Sequence, residues 1–243
     1  MARLCTDLGA GLLENGAETS RVEETIRRAA ESFGLEAEAV VNPTGITLSV
    51  GDKEPITRVI RIHRRGVDLT RVAQLNSVSR LLYEGHLEIE QALETVAEIR
   101  SGEEDLSFWR RAASTAVSAA CFTLLAGGGP GEALAGLLAG AMVARLLSLL
   151  EKNFPPFMNY FFAALLVTWW SWLWVGRGFS GAAITVGALT PQMPGLALVA
   201  AMRDLMAGEL VSGTARGAEA VLMALAMAAG VTTGLSMLTR MGL

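Results

Sequence analysis

At 243 residues, 51% of them hydrophobic and with a mean hydropathy of +0.41, the chain is too apolar for an average water-soluble protein. A net charge of −4 argues against a general nucleic-acid binder, and two isolated cysteines, Cys5 and Cys121, supply neither a disulfide framework nor metal-ligand spacing. Of 44 charged residues only eleven lie from Ala112 onward, an asymmetry that predicts a soluble domain over residues 1–107 and a membrane domain over 108–243.

The N-terminal stretch carries Asp7 and Glu14 and lacks a continuous apolar core, so a signal peptide is not expected and the first domain is expected in the cytoplasm. Leu4, Leu8, Leu12 and Leu13 recur at helical spacing and predict a helix ending near Gly16. Ser20 and Glu23 form a capping-box pattern ahead of Val22, Ile26, Ala29, Ala30 and Phe33, with Gly34 as the C-terminal cap. Three β-rich runs follow, at 37–42, 46–50 and 56–62, separated by turn chemistry at 42–45 and at Asp52 and Lys53. Asp68 starts a helix through Tyr83 that Gly85 ends, and a last helix covers about 88–100. The order ααβββαα describes a small α+β layer.

Chemistry in this half is sparse. His63 and His86 have no Cys or carboxylate at ligand spacing and read as surface residues. Arg58, Arg61, Arg64, Arg65 and Arg71 make a basic cluster. Its plain reading is a solvated strand edge, and the alternatives are an anionic effector or the lipid surface.

The second half predicts an all-α membrane domain of five transmembrane helices at about 112–126, 133–150, 157–175, 179–206 and 218–238. Short Gly- or Pro-rich connections make neighbouring spans antiparallel. Arg110, Arg111, Arg145, Lys152, Arg203 and Arg216 then fall at cytoplasmic ends, and Arg177 and Arg240 outside, which favours an N-in, C-out arrangement. Trp169, Trp170, Trp172 and Trp174 read as an interfacial belt. Gly136 and Gly140 form a GxxxG pair suited to close helix approach, including approach by a partner subunit. Arg145 lies well inside its span and either snorkels to the membrane face or attracts an anionic group. Arg203 and Asp204 close the fourth span, either pairing with other helix ends or acting in a gate.

That fourth span is broken. Within GALTPQMPGLALVAAMRD, Pro191 and Pro194 remove backbone donors and clash with the preceding turn. In lipid such a break is tolerated only where protein or a wet cavity satisfies the freed groups. One reading is a simple kink. The other is a substrate site at mid-membrane depth built from Thr190, Pro191, Gln192, Pro194 and Gly195, with Asn159 of the preceding span reaching the same cavity. Carbonyls near Gly187, Ala188 and Leu189 would suit an ammonium group or a coupling cation, and the amides that follow Gly195 a carboxylate.

Several long blocks together resemble the larger, N-terminal part of threonine/serine exporter (ThrE-type) proteins. They are LLENGAETSRVEETI, NPTGITLSV, ITRVIRIHRRGVDLTRVAQLNSVSR and ITVGALTPQMPGLALVAAMRDLMAGELVSGTARGAEA. The resemblance implies a multi-pass carrier in a bacterial cytoplasmic membrane that exports small hydrophilic metabolites: threonine, serine, or in a split two-protein form succinate. Single-chain members carry a further membrane portion of about four spans. Its equivalent here is expected as a separate small four-span subunit, giving a hetero-complex or higher oligomer. No nucleophile–base pair, HExxH pattern or P-loop is present, so an enzyme is not expected. No cofactor is expected either, and an ion gradient, with the proton as the suspected ion, would drive transport. The alternative is a membrane-tethered sensor whose first domain binds an effector.

Overall fold

Residues 1–51, 55–63, 66–102, 108–151 and 153–242 are described in the computed structural model. The expected turn at Asp52 and Lys53, the arginines at 64 and 65, Lys152 and the 107/108 boundary lie outside them. The chain begins with α1 (Ala2–Glu14), α2 (Thr19–Glu31), β1 (Ala37–Asn42), β2 (Gly45–Val50), β3 (Ile56–Arg61), α3 (Leu69–Tyr83) and α4 (Ile89–Ser101). Then come α5 (Phe108–Leu125), α6 (Pro130–Leu150), α7 (Pro156–Val175), α8 (Gly181–Leu189), a 3-10 turn at Thr190–Gln192, α9 (Gly195–Met206) and α10 (Leu210–Arg240).

Contacts divide the chain into two units. The first joins Met1–Glu103 with Ala197–Gly217, and the second joins Glu104–Leu196 with Ala218–Leu243.

In the first unit the sheet is antiparallel in the order β1-β2-β3, with Val41 opposite Ile46 and Val50 opposite Ile56. Ile46, Leu48 and Val50 alternate toward the helices and join Leu4, Leu8, Leu12, Val22, Ile26, Leu75 and Leu82 in one core. The other face of the sheet leaves Val40 and Val59 exposed. Asp68 opens α3 by accepting hydrogen bonds from the Thr70 and Arg71 amides, both at 3.0 Å, which satisfies two orphan donors. Arg71 also pairs with Asp68 at 3.3 Å, so it leaves the basic cluster, while Arg58 and Arg61 stay exposed on β3.

The capping box expected at Ser20 and Glu23 does not form. The N-cap of α2 is Glu18, with no side-chain cap bond of its own. Glu23 turns instead to the free edge of β1, where its Oε1 accepts the Val41 N–H at 2.9 Å. A distant carboxylate takes over the end of α2, as described below.

The second unit is held by small residues. Ala119, Ala139, Ala163, Ala164 and Ala188 pack with Val143, Val167, Leu189 and Met227. Gly136 and Gly140 face α5: a Cβ at Gly136 would lie 2.3 Å from Thr123 Oγ1, and one at Gly140 2.8 Å from the Thr115 carbonyl oxygen. The GxxxG face is therefore spent on a contact inside this chain and is not free for a partner subunit. Trp170 donates its indole N–H to the Ala135 carbonyl at 2.9 Å. Trp174 stacks edge-on with Trp170 and with Phe179.

The expected fold class needs correction. The chain is mostly helical, with ten α-helices and one three-stranded sheet among the described residues, and these show two or three apolar spans rather than an all-α membrane domain of five. Among the described residues, two helices are long and apolar enough to cross a membrane, α6 and α10. A third candidate is the bent pair of Gly181–Gln192 and Gly195–Met206. Among the remaining long helices, α5 gives its first turn to Arg110 and Arg111. In α7 the apolar run is diluted by Asn159, Tyr160, Thr168, Ser171 and four tryptophans. The last helix begins at Leu210, two turns before the apolar run that suggested a start near Ala218.

Candidate substrate site and charge cluster

The broken segment is built by local rules. Ser180 opens α8 by accepting the Ala183 N–H at 3.3 Å. Glu132 accepts the Ser180 N–H at 3.1 Å and the Gly129 N–H at 2.9 Å, so one carboxylate serves the N-terminal ends of α6 and α8. Thr185 donates to Ser171 Oγ at 2.8 Å and ties α8 to α7. On its other side α8 meets α5 at Gly187, where the backbone of Thr123 leaves no space for a side chain.

The helix then fails where proline dictates. Pro191 has no N–H to give the Gly187 carbonyl. The chain tightens into the 3-10 turn, Met193 donates to the Thr190 carbonyl at 3.1 Å, and Met193 itself is extended at φ −63°, ψ 136°. A residue before proline is pushed out of the helical region, and Met193 precedes Pro194. Helix α9 starts at once from Gly195.

Thr190, Pro191, Gln192 and Pro194 are half-buried and Gly195 is exposed. The Thr190 hydroxyl is engaged locally, donating to the Val186 carbonyl at 2.7 Å. Asn159 is 5% exposed, and its Oδ1 has no hydrogen-bond partner. No bond therefore reaches that oxygen from Thr190 or Gln192. A buried amide oxygen left without a donor costs roughly 1–3 kcal/mol.

The three charged residues suggested for a gate or for pairing separate. Arg145 is exposed, with its guanidinium 5.6 Å from the centroid of the Phe108 ring. Arg203 and Asp204 belong to the first unit and meet the start of α2. Arg203 pairs with Glu18 at 2.7 Å. Asp204 is fully buried, and its Oδ1 accepts both the backbone N–H and the hydroxyl of Thr19 at 3.3 Å. This is the carboxylate that caps α2, from 185 residues away.

Arg216, in the second turn of α10, completes the group. Its Nε lies 3.4 Å from Asp204 Oδ2, and its Nη2 donates to the Ala17 carbonyl at 2.8 Å. Ser212 donates to the Val41 carbonyl at 3.4 Å, so Glu23 and Ser212 together cover the outer edge of β1 at one residue.

Nothing in the local sequence marks Thr19 and Arg216 as partners of Asp204, or Glu18 as the partner of Arg203. One signal was present: Arg203, Asp204, Glu209 and Arg216 crowd into a short stretch of a half otherwise poor in charge.

Burial pushes the Glu23 carboxyl above its ordinary value of 4.5, the Val41 N–H pulls it back, and nearby Glu209 adds to the rise. A raised carboxylate pKa means that the folded chain holds this proton more tightly than the unfolded chain does. Stability from this group is therefore greatest below the unfolded value and is lost as pH rises through the raised folded value. Glu23→Gln keeps the acceptor oxygen and removes the titration. Its thermal midpoint, followed in detergent from about pH 4 to 8, is expected to fall less with rising pH than that of the wild type. Parallel curves for the two proteins would refute this.

Comparison with known proteins gives a consistent picture. The sequence model of the family described as "Putative threonine/serine exporter" matches residues 3–238. The "Probable succinate transporter subunit YjjP" of Escherichia coli is 26% identical, over 97% of this chain and 94% of that protein. Its counterpart of the same name in Klebsiella aerogenes is 25% identical, over 98% and 93%. The "Probable threonine/serine exporter" of Mycobacterium tuberculosis is 24% identical over 96% of this chain, which covers 45% of that longer protein. No solved structure matches the chain.

Proposed function

Because the chain belongs to the threonine/serine exporter family, we propose that it is the larger subunit of a two-component exporter of small carboxylate-bearing metabolites, threonine, serine or a dicarboxylate such as succinate. Membership makes it a transport protein of the membrane and not an enzyme. The finer reading places it in a bacterial cytoplasmic membrane, with its N-terminal layer in the cytoplasm. A small membrane subunit of about four spans supplies the remainder. One observation supports a partner: relatives covered over nearly their whole length are named as a transporter subunit. An ion gradient, with the proton as the first candidate, drives the cycle.

The observation that carries the substrate site is the break itself. Residues Thr190–Gln192 leave the α-helical ladder between two apolar helices, with two prolines that forbid its repair. Backbone groups released at such a depth need a partner, and substrate supplies one. In this reading carbonyls on the α8 side receive an ammonium group or coupling cation. The first amides of α9 receive a carboxylate, and Gln192 and Asn159 add side-chain contacts.

The test is the combined Pro191→Ala and Pro194→Ala variant, beside Gln192→Leu, at matched membrane levels. Counterflow of labelled serine, threonine and succinate in proteoliposomes, with and without the small subunit, is the readout. Loss of at least about tenfold in flux with the folded protein retained is expected. If the double proline variant folds and exports at the wild-type rate and affinity, the break is only a kink and the site lies elsewhere.

A further inference from the structure

We propose that Asp204, Arg216 and the Arg203–Glu18 pair form a latch that clasps the end of α9 to the corner between α1 and α2, and that this latch opens during each transport cycle. The inference rests on the transporter reading and is independent of whether the break binds substrate.

Helix α9 has the form of a rod between two pivots. At its start, Met193 is extended ahead of Pro194. At its end, Gly208 takes a φ of +89°, a conformation that glycine adopts without strain, and the chain reverses into α10. Hinges are a few terminal residues of this kind that absorb the change in φ and ψ.

Between the pivots the rod is lightly held. Only Ala201 and Asp204 of α9 are buried. Apart from the packing of Ala201 and Leu205 on Gly213 at the start of α10, little apolar area resists release, and the attachment to the α1–α2 corner is concentrated in polar groups at one end. Those groups are well placed to hold and to let go. Asp204 Oδ1 takes two bonds from Thr19, Arg216 bridges Asp204 and the Ala17 carbonyl, and Arg203 reaches Glu18 at the rim.

The clasp is incomplete in a telling way. Asp204 Oδ2 is buried yet accepts no hydrogen bond, its approach to Arg216 being an ion pair only. For static support, apolar residues of similar size would serve as well or better. A half-satisfied buried charge pair suits a contact that forms and breaks against water, where both ions regain solvation.

A cross-link tests the opening directly. Cys121 is replaced by serine, while Cys5 is left in place because burial pushes its thiol up to about 11 and makes it inert. In this background Glu18→Cys and Arg203→Cys are joined with a short bifunctional thiosulfonate. Thr19, Asp204 and Arg216 remain untouched. Flux of serine, threonine and succinate is measured through the complete transporter in proteoliposomes. Cross-linking is expected to lower flux at least about tenfold, and a reductant to restore it. Undiminished flux through verified cross-linked protein overturns the latch and leaves the transporter reading intact. Absence of flux in the wild type itself overturns both.

A second measurement does not depend on the cysteine pair. Ala17, 4% exposed beneath Arg216, is replaced by cysteine in the Cys121→Ser background and reacted with a water-soluble maleimide. Labelling is expected to be several-fold faster under an imposed substrate gradient than at rest. Equal rates would overturn the proposal.

Discussion

Gly187→Ala is expected to abolish recovery of folded protein. Judged by helix propensity alone, alanine in place of a mid-helix glycine gains roughly 0.5–1 kcal/mol. The packing of α8 on α5 reverses that sign. The new Cβ would lie 2.1 Å from Thr123 Oγ1, 2.4 Å from Thr123 N and 2.5 Å from Thr123 Cα. Two of these three atoms are backbone, so no rotamer change relieves the clash and one helix must move off the other. Ordinary overpacking costs about 1–3 kcal/mol, and a clash with backbone belongs at or beyond the top of that range. The same movement would open Gly136 and Gly140, which pack on the same face of α5 around Thr123 and Ala119. Gly195→Ala is the control: beyond its own turn of chain no atom lies within 4 Å of its Cβ position, and it is expected to fold normally. Size-exclusion profiles and thermal midpoints in detergent distinguish the two variants. A Gly187→Ala protein as stable as the wild type would show that the α5–α8 contact is wrong.

Arg216→Ala carries the second large effect. Asp204 is fully buried and the Arg216 side chain is 12% exposed, so truncation strands a carboxylate where water cannot reach it. Breaking a buried pair from one side costs about 3–5 kcal/mol. The Ala17 carbonyl loses its donor in the same step. Replacing both charges, Asp204→Leu with Arg216→Met, removes the stranded charge and is expected to be less damaging than Arg216→Ala alone. The resulting non-additivity in a double-mutant cycle measures the coupling. If Arg216→Ala alone leaves the thermal midpoint within the range of ordinary surface substitutions, the pair does not hold α9 in place.

How much of this could be read in advance depends on the range of the interaction. Asp68 opens α3 and the glycines at 34 and 85 follow α2 and α3 with positive φ, because caps act within one turn of chain. The break at Pro191 and Pro194 was equally legible, since a missing N–H acts on the carbonyl four residues back wherever the helix sits. Membership of the exporter family was legible too, because long blocks of residues carry it.

The number of spans was not. Hydrophobic runs at 112–126 and 157–175 suggested two spans that α5 and α7 do not supply by length and composition, once Arg110, Arg111 and the polar and tryptophan positions are counted over the whole helix. The capping box at Ser20 and Glu23 failed for a related reason: both residues have the right local chemistry, but folding brings Val41 to Glu23 and Asp204 to Thr19. The GxxxG pair looked available to a partner until α5 was seen against it. By itself, then, the sequence determined the stops of α2 and α3, the start of α3 and the break after α8, because those signals pass through neighbouring backbone groups; the starts of α2 and α10 it did not. Only the tertiary structure decided which helix face meets which, and that Arg203 meets Glu18 across 185 residues. Burial and pairing of that kind depend on three-dimensional packing, which no periodicity along the chain encodes.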